Sequence, residues 1–243
     1  MNKTNTLEQA FVLHTRSYRE TSLIADLFTR DKGKISVVAK GAKRPKSKLK
    51  SILIPTTLLS VSYRGKKELK NLTHCEVLKY FSINSSVSLN SVIYLNELIL
   101  KFLQKEQEHE DLFNLFSLLL ISLEEEKDQK EVEKHLRVFE LNLLKELGYS
   151  IDLVYEADSG EKIRGESLYS FDPMSGFILK NVKKGISEDI FKGKDILNLS
   201  RGDLEDLETR RASKIIMRRA IDTHLGNKSL NVRKLFLNKG ENR

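Results

Sequence analysis

Ile35-Ser-Val-Val-Ala39, followed at once by Lys40-Gly-Ala-Lys43-Arg44-Pro45-Lys46-Ser-Lys48-Leu-Lys50, is the stretch on which the reading of the fold turns. A short β-branched run gives way to a segment with six cations in eleven residues and no acid, and Ile52-Leu-Ile54 then reads as a further strand-like run. β-Branched residues fit a pleated strand, whereas Gly and Pro punctuate loops. A cationic loop on a small β-rich unit can follow a phosphate backbone. Each phosphate it neutralises releases condensed counterions, which makes binding strongly salt-dependent. The alternative is a solvated, flexible basic loop.

The runs on either side share this rhythm. Ala10-Phe-Val-Leu13 and Ser22-Leu-Ile-Ala-Asp-Leu-Phe28 precede a turn at Asp31-Lys-Gly33, and Thr57-Leu-Leu-Ser-Val-Ser-Tyr63 turns at Gly65 into Leu69 to Val77. Short strands at this spacing predict a five-stranded barrel over residues 1–80, the size of an OB-fold. An SH3-like barrel fits the same runs. A second basic group, Arg64, Lys66, Lys67 and Lys70, surrounds Gly65 and is partly offset by Glu68. Two cationic loops on one barrel could form a groove. Tyr18, between Arg16 and Arg19 in an expected turn, is the candidate for base stacking. Phe11 and Phe28 lie in strand patterns and fit the core.

Charge sharpens this division. The chain has 243 residues, 42 Lys+Arg and 34 Asp+Glu, for a formal charge of +8. Residues 1–80 carry 17 cations and 6 acids, residues 81–199 carry 14 and 22, and residues 200–243 carry 11 and 6. The N-terminal third is therefore the attractor for a polyanion.

After Tyr80 the period changes. Val87 to Leu103 lacks Gly and Pro and reads as a largely buried helix, and Leu112 to Leu123 as a second. Glu124 to Glu131 reads as a solvated link. Val132, Leu136, Phe139, Leu143 and Leu147 form one apolar helical stripe, with Gly148 where a C-terminal cap belongs. Leu168–Phe171 and Phe177–Leu179 around Asp-Pro-Met-Ser-Gly predict a hairpin with a five-residue loop. Ser200 is expected to cap a helix running to about Leu225, and a short helix is expected at about 232–238. The predicted class is α+β: an OB-fold barrel over 1–80, then an α-helical domain over 81–243 with a hairpin insertion at about 150–185.

Other chemistries find little support. Cys75 is the only cysteine, which excludes an intrachain disulfide and a multi-cysteine zinc site. The five histidines make no His-Glu-x-x-His pattern, and no phosphate-binding glycine motif or nucleophile elbow occurs. Asp203, Glu205, Asp206 and Glu208 could suggest a two-metal nuclease, but acids in a first helical turn are what the helix dipole favours. Asp206 also stands four residues before Arg210, a favourable helical pair. Arg211, Lys214 and Arg218 share a helix face, as candidate additional nucleic-acid contacts or as a solvated face. No run of ~18 apolar residues occurs, so no membrane span is expected. The reading is of a soluble, cytoplasmic, nucleoid-associated protein.

The order and spacing of several segments resemble the RecO family of bacterial DNA repair proteins. They are Ala10-Phe-Val-Leu-His-Thr-Arg-Ser-Tyr-Arg-Glu-Thr-Ser-Leu, Asp26-Leu-Phe-Thr-Arg, Val38-Ala-Lys-Gly-Ala-Lys-Arg-Pro-Lys-Ser, Tyr94-Leu-Asn-Glu-Leu, Leu136 to Tyr149, and His224-Leu-Gly. The resemblance implies an OB-fold followed by a helical domain. It implies binding of single- and double-stranded DNA and annealing of complementary strands. It also implies help, with RecR, in loading RecA onto strands covered by single-stranded DNA-binding protein, with no bond made or broken.

By position, Lys40, Lys43, Arg44, Lys46, Lys48 and Lys50 fall on the family's DNA-binding region. Arg137 falls on an arginine that contacts the C-terminal tail of single-stranded DNA-binding protein, and Leu144 would add apolar contact. From the residues alone, Arg137 reads as an ion-pair partner of Glu133 or Glu140. Many relatives carry a four-cysteine zinc module after Leu-Gly-Tyr. Residues 150–180 here have no cysteine, so no metal or other cofactor is expected. An RNA-binding OB protein and a partner-docking adaptor remain the alternatives.

Overall fold

The computed structural model describes residues 7–126, 128–180 and 190–232. Five strands, β1 (Glu8–Tyr18), β2 (Ser22–Thr29), β3 (Gly33–Ala39), β4 (Thr57–Arg64) and β5 (Leu69–Tyr80), close a barrel in the order β1-β2-β3-β5-β4. Every neighbouring pair is antiparallel except β3 and β5, which run parallel through Ser36↔Leu69 and Val38↔Asn71. This is OB-fold topology. The barrel interior comes from alternate residues, as a period of two requires. Ala10, Val12, Ala25, Leu27, Ile35, Val37, Ala39, Leu59 and Val61 all point inward and are buried.

The runs of β1 and β2 are continuous rather than alternating because their outer face is covered too. The Phe11 ring lies 4.9 Å from Phe113 and 5.0 Å from Phe116, and Phe28 lies 5.4 Å from Phe113. Tilted and edge-on geometries of this kind add about 0.5–1.5 kcal/mol per pair beyond area burial. Phe113 and Phe116 belong to α3 (Glu110–Glu125), which follows α2 (Ser86–Phe102). Asn96 of α2 donates to the Leu13 carbonyl at 3.2 Å. The connector between α2 and α3 crosses the start of β3. There Glu106 N–H donates to Lys34 O at 3.0 Å, and Lys70 pairs with Glu106 at 2.9 Å. Gly33, at φ 62°, is required at this crossing, since a Cβ there would sit 1.7 Å from the Gln107 carbonyl oxygen.

Strand gives way to helix near residue 80, as the change of period predicts. Compactness divides the chain elsewhere: one unit spans Met1–Lys127 and Leu230–Arg243, the other Asp128–Ser229. In the second unit, α4 (Gln129–Glu146) buries Val132, Phe139 and Leu143 of the predicted stripe. It ends on Gly148 at φ 80°, with Gly148 N–H donating to Lys145 O and Tyr149 N–H to Leu144 O, a paired C-terminal cap.

Three expectations for this region are corrected. The hairpin β6 (Leu168–Asp172) and β7 (Gly176–Lys180) pairs through Asp172↔Gly176, so three residues connect it, not five. The Asp172 carboxylate accepts from Met174 N–H, Ser175 N–H and Ser175 Oγ, which tightens the turn. A third strand, β8 (Ile190–Lys192), adds to the β6 edge. The late helix, expected from Ser200, starts only at Leu207 as α6 (Leu207–Leu225), and a separate helix, α5 (Gly193–Arg201), precedes it and ends at Gly202, which takes φ 70°. Ser200 lies inside α5 and donates to Leu197 O, whereas Asp206 caps α6 by accepting from Glu208 N–H. Of the helix expected at 232–238, residues 233–238 lie outside the described residues.

A buried carboxylate organises the segment before β6. Glu156 accepts from Ser159 Oγ at 2.7 Å and from Tyr169 Oη at 3.2 Å, and Tyr169 is fully buried. The Tyr169 hydroxyl in turn accepts from Arg164 N–H.

Candidate nucleic-acid interface

The basic segment is built as a chain of turns, not a loose loop. Gly41, at φ 70°, starts the first turn, and Arg44 N–H donates to Gly41 O at 3.0 Å. Ser47 N–H donates to Arg44 O, and Lys43 N–H reaches across to Thr21 O at 2.9 Å, tying the segment to the β1–β2 hairpin. Ala42 and Leu53 are buried in the barrel core and pin its two ends. The strand-like reading of Ile52-Leu-Ile54 is corrected here. Residues Leu49–Ile52 form a single helical turn, α1, and Leu53 plugs the core. With both ends anchored, the cations face water: Lys40, Lys43, Arg44, Lys46, Lys48 and Lys50 are all exposed. Among the described residues no carboxylate pairs with any of the six. A cation held without a counter-charge is available to a phosphate.

Strand register then assembles a row that crosses the outer face of the barrel. Arg16 stands opposite Ile24, Leu23 opposite Ala39, Ile24 opposite Val38, Val38 beside Asn71, and Asn71 opposite Arg64. Since Ala25, Val37 and Ala39 point inward, the row Arg16, Ile24, Val38, Asn71 and Arg64 points out. A groove of about 690 Å³ meets this row at Val38 and Asn71 and is lined also by Tyr18, Arg19, Glu20, Lys40, Arg44 and Leu69. The structure therefore joins Lys40 and Arg44 to Tyr18 in one groove. The Arg19 guanidinium lies 5.2 Å from the centre of the Tyr18 ring.

Arg64 ends the row, and Lys66 and Lys67 follow it, exposed, in the β4–β5 turn. The acid that offset this group is engaged elsewhere. Glu68 bonds to Lys105 of the α2–α3 connector, and that bond holds its carboxyl below the usual range. Lys70 is buried and pairs with Glu106, which removes it from the interface.

Arg16, Ile24, Val38 and Asn71 escaped the sequence reading. A β-bulge between Val12 and His14 shifts the phase of β1, so alternation read from Ala10 misassigns everything beyond it.

The remaining candidates lie in the second unit. Arg211, Lys214 and Arg218 are exposed on α6, with Arg211 bonded to Glu208 at 2.8 Å and Arg218 3.9 Å from Asp222. Arg137 pairs with Glu140 at 3.0 Å, where Glu140 is 1% and Arg137 12% exposed. Leu144 is a core residue, 1% exposed, so its side chain lies beneath the surface. Lys130 and Lys134 both bond to Glu205 and hold its carboxyl down to about 2. The Arg210 guanidinium donates to the Leu204 and Glu205 carbonyls, while its backbone N–H donates to Asp206 O at 3.0 Å. Among the described residues no group of three or more His, Cys, Asp or Glu is placed to hold a metal ion, and no helix is long and apolar enough to cross a membrane.

The profile described as Recombination protein O N terminal matches residues 1–81, and that described as Recombination protein O C terminal matches residues 87–234. The chain belongs to the RecO family. A Haemophilus influenzae relative described as DNA repair protein RecO is 37% identical over 230 residues, 95% of each chain. A Polynucleobacter asymbioticus relative of the same description is 38% identical over 231 residues, again 95% of each. One from Tolumonas auensis is 37% identical, over 95% of this chain and 94% of its own. The two RecO profiles meet between residues 81 and 87, where β5 gives way to α2.

Proposed function

We propose that this RecO-family chain acts in DNA repair by binding single- and double-stranded DNA on its barrel and annealing complementary strands. The observation that carries this reading is the anchored segment of six exposed cations, two of them lining the groove and none with a carboxylate partner among the described residues. Two strands repel each other through their phosphates. A cationic surface lowers that repulsion and raises local strand concentration, while base pairing supplies sequence specificity. The protein then has no need to read base edges.

The proposal extends to partners: RecR, and the acidic tail of single-stranded DNA-binding protein, with RecA loaded onto the strand so prepared. Arg137 is the proposed tail contact. Its guanidinium, largely buried with 12% of the side chain exposed, is fixed by Glu140, and a guanidinium fork suits a carboxylate. Leu144, being buried, would support that helix face from beneath. Arg211, Lys214 and Arg218 are proposed as a further DNA-contacting face.

The test is an annealing assay on complementary oligonucleotides precoated with single-stranded DNA-binding protein. Acceleration by the parent chain, reduced on replacing Lys43, Arg44 and Lys46 by Ala, is expected. Equal rates with and without the protein refute the annealing reading. A clear preference for RNA in competition titrations would favour an RNA-binding role instead.

A further inference from the structure

We infer that Arg16 contacts nucleic-acid phosphate at the β1 end of the row across the barrel's outer face, and that Asp26 is the positioning residue that holds it there. This rests on the reading of that face as the nucleic-acid site. Arg16 Nη1 donates to Asp26 Oδ2 at 2.5 Å, and Ser36 Oγ donates to Asp26 Oδ1 at 2.6 Å. His14 Nδ1 lies 3.8 Å from Oδ2. The two sides of the Arg16 pair differ sharply in exposure, with the side chains 50% exposed for Arg16 and 11% for Asp26.

Asp26 is thus an acid sunk into the sheet, and a buried carboxylate is tolerated only when bonded on both oxygens. Ser36, directly opposite on β3, satisfies one oxygen. Arg16, diagonal to Asp26 across the β1–β2 pair, satisfies the other. The guanidinium has five N–H donors, and the bond to Asp26 is made from Nη1 alone, on a side chain that stays half exposed. A guanidinium fixed in this way loses less freedom on meeting a phosphate than a mobile lysine does. The lysines of the 40–50 segment supply field; Arg16 supplies a fixed point of contact within the row beside Ile24.

Charge and position predict opposite signs for one substitution. Asp26→Asn removes a negative charge, so a purely electrostatic role predicts tighter binding. A positioning role predicts binding weaker by roughly threefold to tenfold, the cost of ordering one released arginine. Anisotropy of labelled oligothymidylate, with the full chain, measures this directly. Arg16→Ala is expected to weaken binding and flatten the salt slope by about 0.7, one single-strand contact. In the Arg16→Ala background, Asp26→Asn should no longer weaken binding. Urea unfolding of each variant reports stability separately.

Tighter binding by Asp26→Asn alone, or an equal weakening in the presence and absence of Arg16, overturns the inference. If the parent binds oligothymidylate and only the Asp26 effect is missing, the face keeps its assignment and the positioning role falls. If the parent does not bind, both fall.

Discussion

Replacing Lys43, Arg44 and Lys46 together by Ala should convert a salt-sensitive protein into a much less sensitive one. All three side chains are exposed and engage no carboxylate among the described residues, so each is available to a phosphate. A single-strand contact contributes about 0.7 to the slope of log affinity against log salt, so three lost contacts flatten it by about 2. Extrapolated from 1 M, that is about 100-fold weaker binding at 0.1 M salt, with the deficit shrinking as salt rises. Stability should stay within about 0.5 kcal/mol, because the turns are held by backbone bonds from Lys43 and Arg44 that Ala retains. Anisotropy titrations of an oligothymidylate across a salt series, alongside urea unfolding, give both numbers. A parental slope and parental low-salt affinity in the variant would refute the assignment of this segment to phosphate contact.

Gly33→Ala should destabilise the barrel by on the order of 3 kcal/mol, through positive φ and the collision with the Gln107 carbonyl; a urea midpoint near the parent's would refute the close approach. Burial pushes the Cys75 thiol up from 9.0 to about 11, so at pH 8 its alkylation should run about 100-fold slower than that of an ordinary thiol. Because the folded state holds that proton more tightly, the Cys75 contribution to stability should decline from pH 9 towards 11, which unfolding curves across that range would reveal. Arg137→Ala should destabilise the chain by up to about 3 kcal/mol in urea unfolding, because it removes the guanidinium paired with the buried Glu140 carboxylate. The double variant Arg137→Ala/Glu140→Leu should recover much of that stability and still bind an acidic peptide more weakly than the parent; parental peptide affinity would reject the tail contact.

Local chemistry was legible wherever a residue's role depended on its neighbours in the chain. The strand runs, the stripe from Val132 to Leu147, the Gly148 cap and the unbroken cationic segment from Lys40 to Lys50 all follow from period, turn residues and charge. Errors arose where one residue type had two local meanings. Ser200 reads as a cap until Gly202 is recognised as a helix end, and Ile52-Leu-Ile54 reads as strand although Leu53 is wanted as a core plug.

What the chain settled by itself was the inventory: a β-rich basic third, a helical remainder, and cations gathered with no acid among them. Their arrangement came only with closure of the barrel. Pairing β3 in parallel with β5 brought Val38 beside Asn71, and the bulge in β1 turned Arg16 outward over Asp26. The helices that cover Phe11 and Phe28 decided which part of the barrel stays open to a ligand. These are contacts between residues far apart in sequence, and no local pattern encodes which face of a strand meets which neighbour.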